Sequence, residues 1–194
     1  MGAEGLDVPL RAITAEAGVN LAAVNYHFQS KDALLDAIIA RRFTPVNQRR
    51  LELLDQVEAG SPQGPLPLEQ VLNAFFRPVF ESGADMSHLR PLIGRIYSAP
   101  TEFLNRVYAR HLTEVVRRFI GALQRAVPEL PPTELFWRLH FAVGMMVHLM
   151  NWASILPVVT NGLVDVADAQ QTTDRIIAFA SAGFRAPVHH VEKQ

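Results

Sequence analysis

A chain of 194 residues with 49% hydrophobic side chains is long enough to bury a core as one large or two small domains. It has no cysteine, which excludes disulfide frameworks, cysteine zinc sites and thiol nucleophiles and fits a reducing cytoplasm. A net charge of −1 exerts no overall pull toward nucleic acid or anionic lipid, and the opening MGAEGLDVPLRA has neither the basic nor the apolar region of a secretion signal.

Helical spacing runs through the chain, with no alternating strand pattern and no internal repeat. Pro9 suits a first-turn position and opens a helix that Gly18 terminates. Asn20 is placed to cap a short helix from Leu21 to Phe28. Ser30 is placed to cap a third, with Lys31 and Asp32 in its first turn and Leu34, Leu35, Ile38 and Ile39 on its inner face. Pro45 removes a backbone donor and is expected to kink or break that helix near Phe43, making a hinge. Helical pattern resumes through Leu51, Leu54 and Val57, and the Gly/Pro-rich residues 58–67 read as a linker.

Beyond it, helices are expected at 68–82, 89–97, 101–127, from a Thr133 cap onward, and at 165–184. Leu139 to Val159 carries no formal charge and is long enough to span a bilayer. It is interrupted by His140, His148, Asn151, Ser154 and Pro157, so burial between protein partners is the expectation. The fold class is all-α: an N-terminal helix-turn-helix unit at 1–45, a C-terminal helical bundle at 46–188 for ligand binding and dimerisation, and a tail at 189–194.

A glycine turn between two short helices describes a helix-turn-helix. Gly18 supplies the left-handed backbone, and Ile13, Ala17, Val19 and Val24 are expected to form the small core beneath it. The second helix is then free to show Leu21, Ala22, Ala23, Asn25 and Tyr26 to a major groove. The alanines permit close approach to thymine methyls, and Asn25 offers a bidentate amide edge to adenine. Tyr26, His27 and Lys31 suit phosphate contacts beside a helix N-terminus.

Residues Pro9 to Leu35 resemble the DNA-binding unit of the tetracycline-repressor (TetR) family, whose signature of aromatic-His-Phe followed by Ser-Lys stands here as Tyr26-His27-Phe28 and Ser30-Lys31. The run GVNLAAVNYHF is most similar to the fatty-acid-responsive PsrA-like branch. The resemblance implies that Asn20, Ala22, Ala23, Asn25, Tyr26, His27 and Lys31 lie at the DNA surface, that the last helices pair two subunits, and that the larger domain holds a ligand pocket. Thr14 and Val8-Pro9 depart from the family pattern, and Ala3 to Gly5 resemble the end of the family's first helix, so that the first helix as a whole is expected to be missing. Residues 1–60 hold six Lys or Arg against eight Asp or Glu. A dimeric lipid- or small-molecule-binding protein without DNA binding is the alternative that a missing first helix would favour.

The apolar helix implies two burials. One face, with Met146 and Met150, is expected to pair with Ile176, Ile177, Phe179, Ala180 and Phe184 across a two-fold axis. The other is expected to line a cavity with Phe136, Phe141, Met145 and Trp152, where His140, His148, Asn151, Arg95 and Tyr97 are the groups able to hold a polar head. An apolar ligand with one acidic end, such as a fatty acid or acyl thioester, fits that lining. Seven histidines offer no metal-ligand spacing, and no catalytic or phosphate-binding motif is present, so neither an enzyme nor a cofactor or metal is expected. The whole reads as a cytoplasmic homodimer that binds a palindromic operator as a repressor and is released by a small ligand, with no membrane partner.

Overall fold

The computed structural model describes residues 8–81 and 101–188, and among these every regular element is helical. The short helices α1 (Leu10–Glu16) and α2 (Leu21–Phe28) precede α3 (Lys31–Gly60). Then come α4 (Leu68–Glu81), α5 (Thr101–Val107), a π-helical turn (Tyr108–Leu112) and α6 (Thr113–Ala126). The chain closes with α7 (Pro132–Trp152), the one-turn α8 (Leu156–Val159) and α9 (Ala169–Arg185).

Side-chain caps set three of these starts. Asn20 Oδ1 accepts from the Ala22 amide at 2.8 Å, Ser30 Oγ from Ala33 at 3.1 Å, and Asp168 Oδ1 from Gln171 at 2.9 Å. Asp168 therefore starts the last helix a few residues later than expected. Thr133 does not cap α7. Pro131 precedes the helix and Pro132 occupies its first position, where a missing amide hydrogen costs nothing.

α3 corrects another expectation, because it passes through Pro45 without a break. Proline costs that helix one backbone bond, while Val46, Asn47, Arg50 and Leu54 are buried along one face and hold the chain helical on the far side. Residues 45 and 46 thus lie in one helix shared by the two expected units. The single amphipathic run expected over 101–127 is likewise three pieces, with the π turn between α5 and α6. The expected 89–97 helix lies outside the described residues.

The core is built around α4. Val71, Leu72, Phe75, Phe76 and Val79 are buried between Ile176, Ile177, Ala180 and Phe184 of α9, Val46 and Leu54 of α3, and Val115, Phe119 and Leu123 of α6. Phe75 meets Phe119 edge-on at 5.1 Å between ring centres. Each such side chain contributes about 1.5–3 kcal/mol on burial.

α7 lies antiparallel to α9, since Arg138 near its start reaches the end of α9. The buried Arg138 guanidinium donates through Nη1 to the carbonyls of Phe184 (2.8 Å) and Ala186 (2.7 Å) and through Nη2 to Pro187 (3.3 Å), while Glu134 flanks it one turn back. Phe184 O is one of the carbonyls that a helix end leaves without an internal partner, and Ala186 and Pro187 follow directly after that end. Among the described residues, no helix is long and apolar enough to cross a membrane.

Arg138→Ala would strand those carbonyls and destabilise the chain by roughly 3 kcal/mol. Urea unfolding followed by circular dichroism measures this; a loss under about 0.5 kcal/mol, the size of an ordinary surface change, would show that the cap is dispensable.

Candidate functional site

The N-terminal unit turns on Gly18, whose φ of +64° is costly for any residue with a side chain. Gly18 donates to Ala15 O and Val19 to Thr14 O, closing the turn before the Asn20 cap. Thr14 is buried and its hydroxyl donates to Arg11 O at 3.0 Å, so the position tolerates threonine. Of the four residues expected to form a small core, Ile13 and Val24 are half-buried, whereas Ala17 and Val19 are exposed. Two helices of seven and eight residues cover only one side of each other. On α2, Ala22, Ala23, Asn25, Tyr26 and His27 all face solvent, with Tyr26 83% exposed and its ring edge-on to His27. Leu21 is half-buried, as is Lys31 at the start of α3.

The first turns of α3 are clasped from the side. Arg106 Nη2 lies 2.9 Å from Asp32, and Arg110 Nη1 lies 2.5 Å from Asp36 Oδ2. His111 Nε2 sits 2.9 Å from Asp36 Oδ1. The hydrogen bond with His111, reinforced by Arg110, holds the Asp36 carboxyl below the usual carboxylate range against the opposing effect of burial.

Behind this clasp lies a cavity of about 410 Å³, within the range of small-molecule sites. Phe43 and Val46 of α3, Phe75 and Val79 of α4, Leu112 of the π turn and Leu139, Val143 and Met146 of α7 make it apolar. Arg42 and Arg50 are its cations, with His140 and the Tyr108 ring at its wall. Arg50 is 5% exposed. Its Nε donates to Phe75 O at 2.8 Å, Nη1 to Asn47 Oδ1 at 3.2 Å, and its carbon lies 4.3 Å from the centre of the Phe75 ring.

Residues 1–38 match the family of bacterial regulatory proteins, tetR family, and residues 73–183 match the tetracyclin repressor-like C-terminal domain. The chain belongs to the TetR family. It is a DNA-binding transcriptional regulator of the ligand-responsive kind, in a family whose members are typically not enzymes. No curated protein matches the chain.

In this TetR-family chain the expected site residues separate into groups. Phe136 and His140 line the cavity, and they are joined there by Met146, which was expected at a dimer interface. Met145 and His148 line a second hollow between α7 and α9, beside Asp165 and Arg175. Phe141, Asn151 and Trp152 are exposed and do not line the cavity; Trp152 stacks on His148 with ring centres 5.4 Å apart. Arg95 and Tyr97 lie outside the described residues. Met150, Ile176, Ile177, Ala180 and Phe184 are buried within their own chain, because α4 packs over that face of α9. Those five and Met146 offer little surface to a second subunit, and Phe179 alone of the expected interface set is exposed, at 73%. Among the described residues no cluster of His, Asp or Glu could hold a metal.

Arg50 and the π turn escaped the sequence reading. The signal for Arg50 was present: Phe43, Val46, Asn47, Arg50 and Leu54 share one helical face, which places a cation among core positions.

The Asp36 clasp favours the charged carboxylate in the folded chain. Its stabilisation is complete above the ordinary value of 3.8 and is lost as pH falls through the lower, folded-state value. Asp36→Asn is expected to flatten that part of the acid-unfolding curve relative to wild type, read by fluorescence-detected melting across acid pH; superimposable curves would remove Asp36 from the acid response.

Proposed function

We propose that the chain is a homodimeric repressor of the fatty-acid-responsive branch of the family, acting in the cytoplasm on a palindromic operator and released by a small apolar or fatty-acyl ligand. The observation that carries the DNA reading is the uncovered outer face of α2. Ala22, Ala23, Asn25, Tyr26 and His27 project together from a helix fixed at both ends, by the Asn20 cap and by the turn before Ser30. Asn25 reads an adenine edge while Ala22 and Ala23 let the helix seat deeply; Tyr26, His27, Lys31 and the Asn20 and Leu21 end of the helix border the phosphates. The reading head occupies residues 1–45, and the ligand-binding and dimerisation unit occupies 46–188, with α3 running through both.

The dimer face is the exposed aromatic stripe of α7. Trp137, Phe141, His148 and Trp152 follow one another at helical spacing, and Phe179 stands out from the neighbouring α9. Two copies of this helix pair form a four-helix interface about a two-fold axis, which sets the two α2 helices on successive major grooves. The apolar cavity between α3, α4, the π turn and α7 supports the ligand reading. A ligand that prefers the conformation unable to bind DNA shifts the population toward it, and bound DNA weakens the ligand reciprocally.

A salt-varied titration against a pool of random duplexes tests this reading. One palindromic sequence should be selected, and Asn25→Ala or Tyr26→Ala should each weaken its binding by about 1–3 kcal/mol. Equal affinity for every duplex would overturn operator recognition. Sedimentation should find a dimer that Phe179→Arg converts toward monomer, and a wild-type monomer would remove the two-fold model.

A further inference from the structure

We infer that the hollow between α7 and α9 is a second small-molecule site, separate from the α3/α4/α7 cavity, and that it takes a small zwitterion with an apolar side chain, of the amino-acid kind. The inference is independent of what the first cavity binds.

The hollow measures about 500 Å³, a size within the range of small-molecule sites. Two helices build it with the same spacing. Met145, His148 and Leu149 line it from α7, and Thr172, Arg175 and Ile176 line it from α9, each set at intervals of three and four residues. The connection between the helices closes a further side, with Leu156 and Val164 in the lining. That connection is a built turn. Asn161 and Gly162 take left-handed φ values of +50° and +80°, Gly162 donates to Pro157 O at 2.7 Å, and the Thr160 hydroxyl accepts from Val164 N at 3.1 Å. Asp165 follows, its Oδ1 accepting from the Ala167 amide at 2.9 Å.

Unused polar capacity beside an apolar floor marks this hollow as a site. Thr172 is 7% exposed and lines it, yet among the described residues its hydroxyl has no hydrogen-bond partner. Its neighbour Thr173 donates to Ala169 O at 2.7 Å, the ordinary resort of a helical threonine. A buried polar group left unpaired is costly, and a ligand that pairs with it recovers that cost.

The charges at the rim give the ligand its class. Asp165 and Arg175 bring one of each sign to the same hollow, and among the described residues neither stands in an ion pair, with the other or with a third group. Arg175 Nη2 donates to Gln171 Oε1 at 3.3 Å, which leaves the rest of the guanidinium fork for an outside acceptor. A monoanion meets the Asp165 carboxylate here, and a monocation meets the Arg175 guanidinium; a molecule carrying both charges satisfies both. The fork takes the carboxylate, Asp165 takes the ammonium, and Thr172 supplies a neutral hydrogen bond between them. The apolar side chain rests on Met145, Leu149 and Ile176.

Three probes with one branched hydrocarbon body separate the possibilities: L-leucine, 4-methylpentanoate, which lacks the ammonium, and 3-methylbutylammonium, which lacks the carboxylate. Each is titrated by calorimetry into the full chain at millimolar concentration. Leucine should bind at least about tenfold more tightly than either relative. Arg175→Gln should remove that advantage over 3-methylbutylammonium and leave the amine's own affinity within about twofold. Asp165→Asn, whose side-chain oxygen can still accept from Ala167, should do the same relative to 4-methylpentanoate. Thr172→Val keeps the shape and should weaken leucine by roughly fivefold. Thermal melts identify any variant that has failed to fold, and the two charge variants, both at exposed positions, then decide. Equal affinity for the three probes would overturn the zwitterion class. Leucine binding that neither charge variant changes would place the ligand elsewhere, and no binding of any probe would remove the site; either result overturns the inference and leaves the reading of the first cavity untouched.

Discussion

A helix of thirty residues spans about 45 Å, and its backbone ladder runs continuously here apart from the one bond that Pro45 removes. α3 is such a rod. Its first turns carry Asp32 and Asp36 beside the reading head, its middle presents Phe43, Val46 and Arg50 to the cavity, and Leu54 anchors its far half in the core. Whatever changes the tilt of the middle therefore changes the position of the start. The short helices α1 and α2 have little burial of their own, so they follow the rod that they are attached to.

Long cationic side chains repeatedly close the ends of this structure. Arg138 gathers the last carbonyls of α9, Arg125 donates to Ser61 O and Gly64 O after α3, and Arg118 bridges Asp55 and Glu58 from α6. The Asp55 hydrogen bond raises the already high Arg118 pKa, so the guanidinium side of that bridge keeps its charge. The residues after Gly60, though rich in glycine and proline, are thereby tied to α6 at two carbonyls, and Leu66 among them is buried. The segment that reads as a linker is part of the fold.

Local chemistry was legible in the sequence and longer-range packing was not. Gly18, Asn20 and Ser30 act through neighbours two to four residues away, so their roles could be read from the order of residues alone. Pro45 was misread because its cost is local while its compensation, the buried Asn47, Arg50 and Leu54 face, depends on α4 and α6. The assignment of Met146, Met150, Ile176 and Phe184 to a subunit interface failed for a related reason. Periodicity identifies an apolar face without saying whether α4 or a second chain covers it. Of the groups expected to hold a polar head, His140 does reach the cavity, but the buried cation came from α3, a helix whose inward face was read only as hydrocarbon.

The π turn uncouples two registers. An α-helix rotates about 100° per residue, and a π turn absorbs one additional residue without ending the helix. Arg106 before it and Arg110 within it address α3, while Val115, Phe119 and Ala122 after it address the core. A version of this chain lacking one residue within 108–112 would form a smoother helix, yet it would have to give up either the grip on α3 or the seating of Phe119. The local irregularity is what lets one continuous stretch of chain serve two surfaces that a regular helix would carry out of phase.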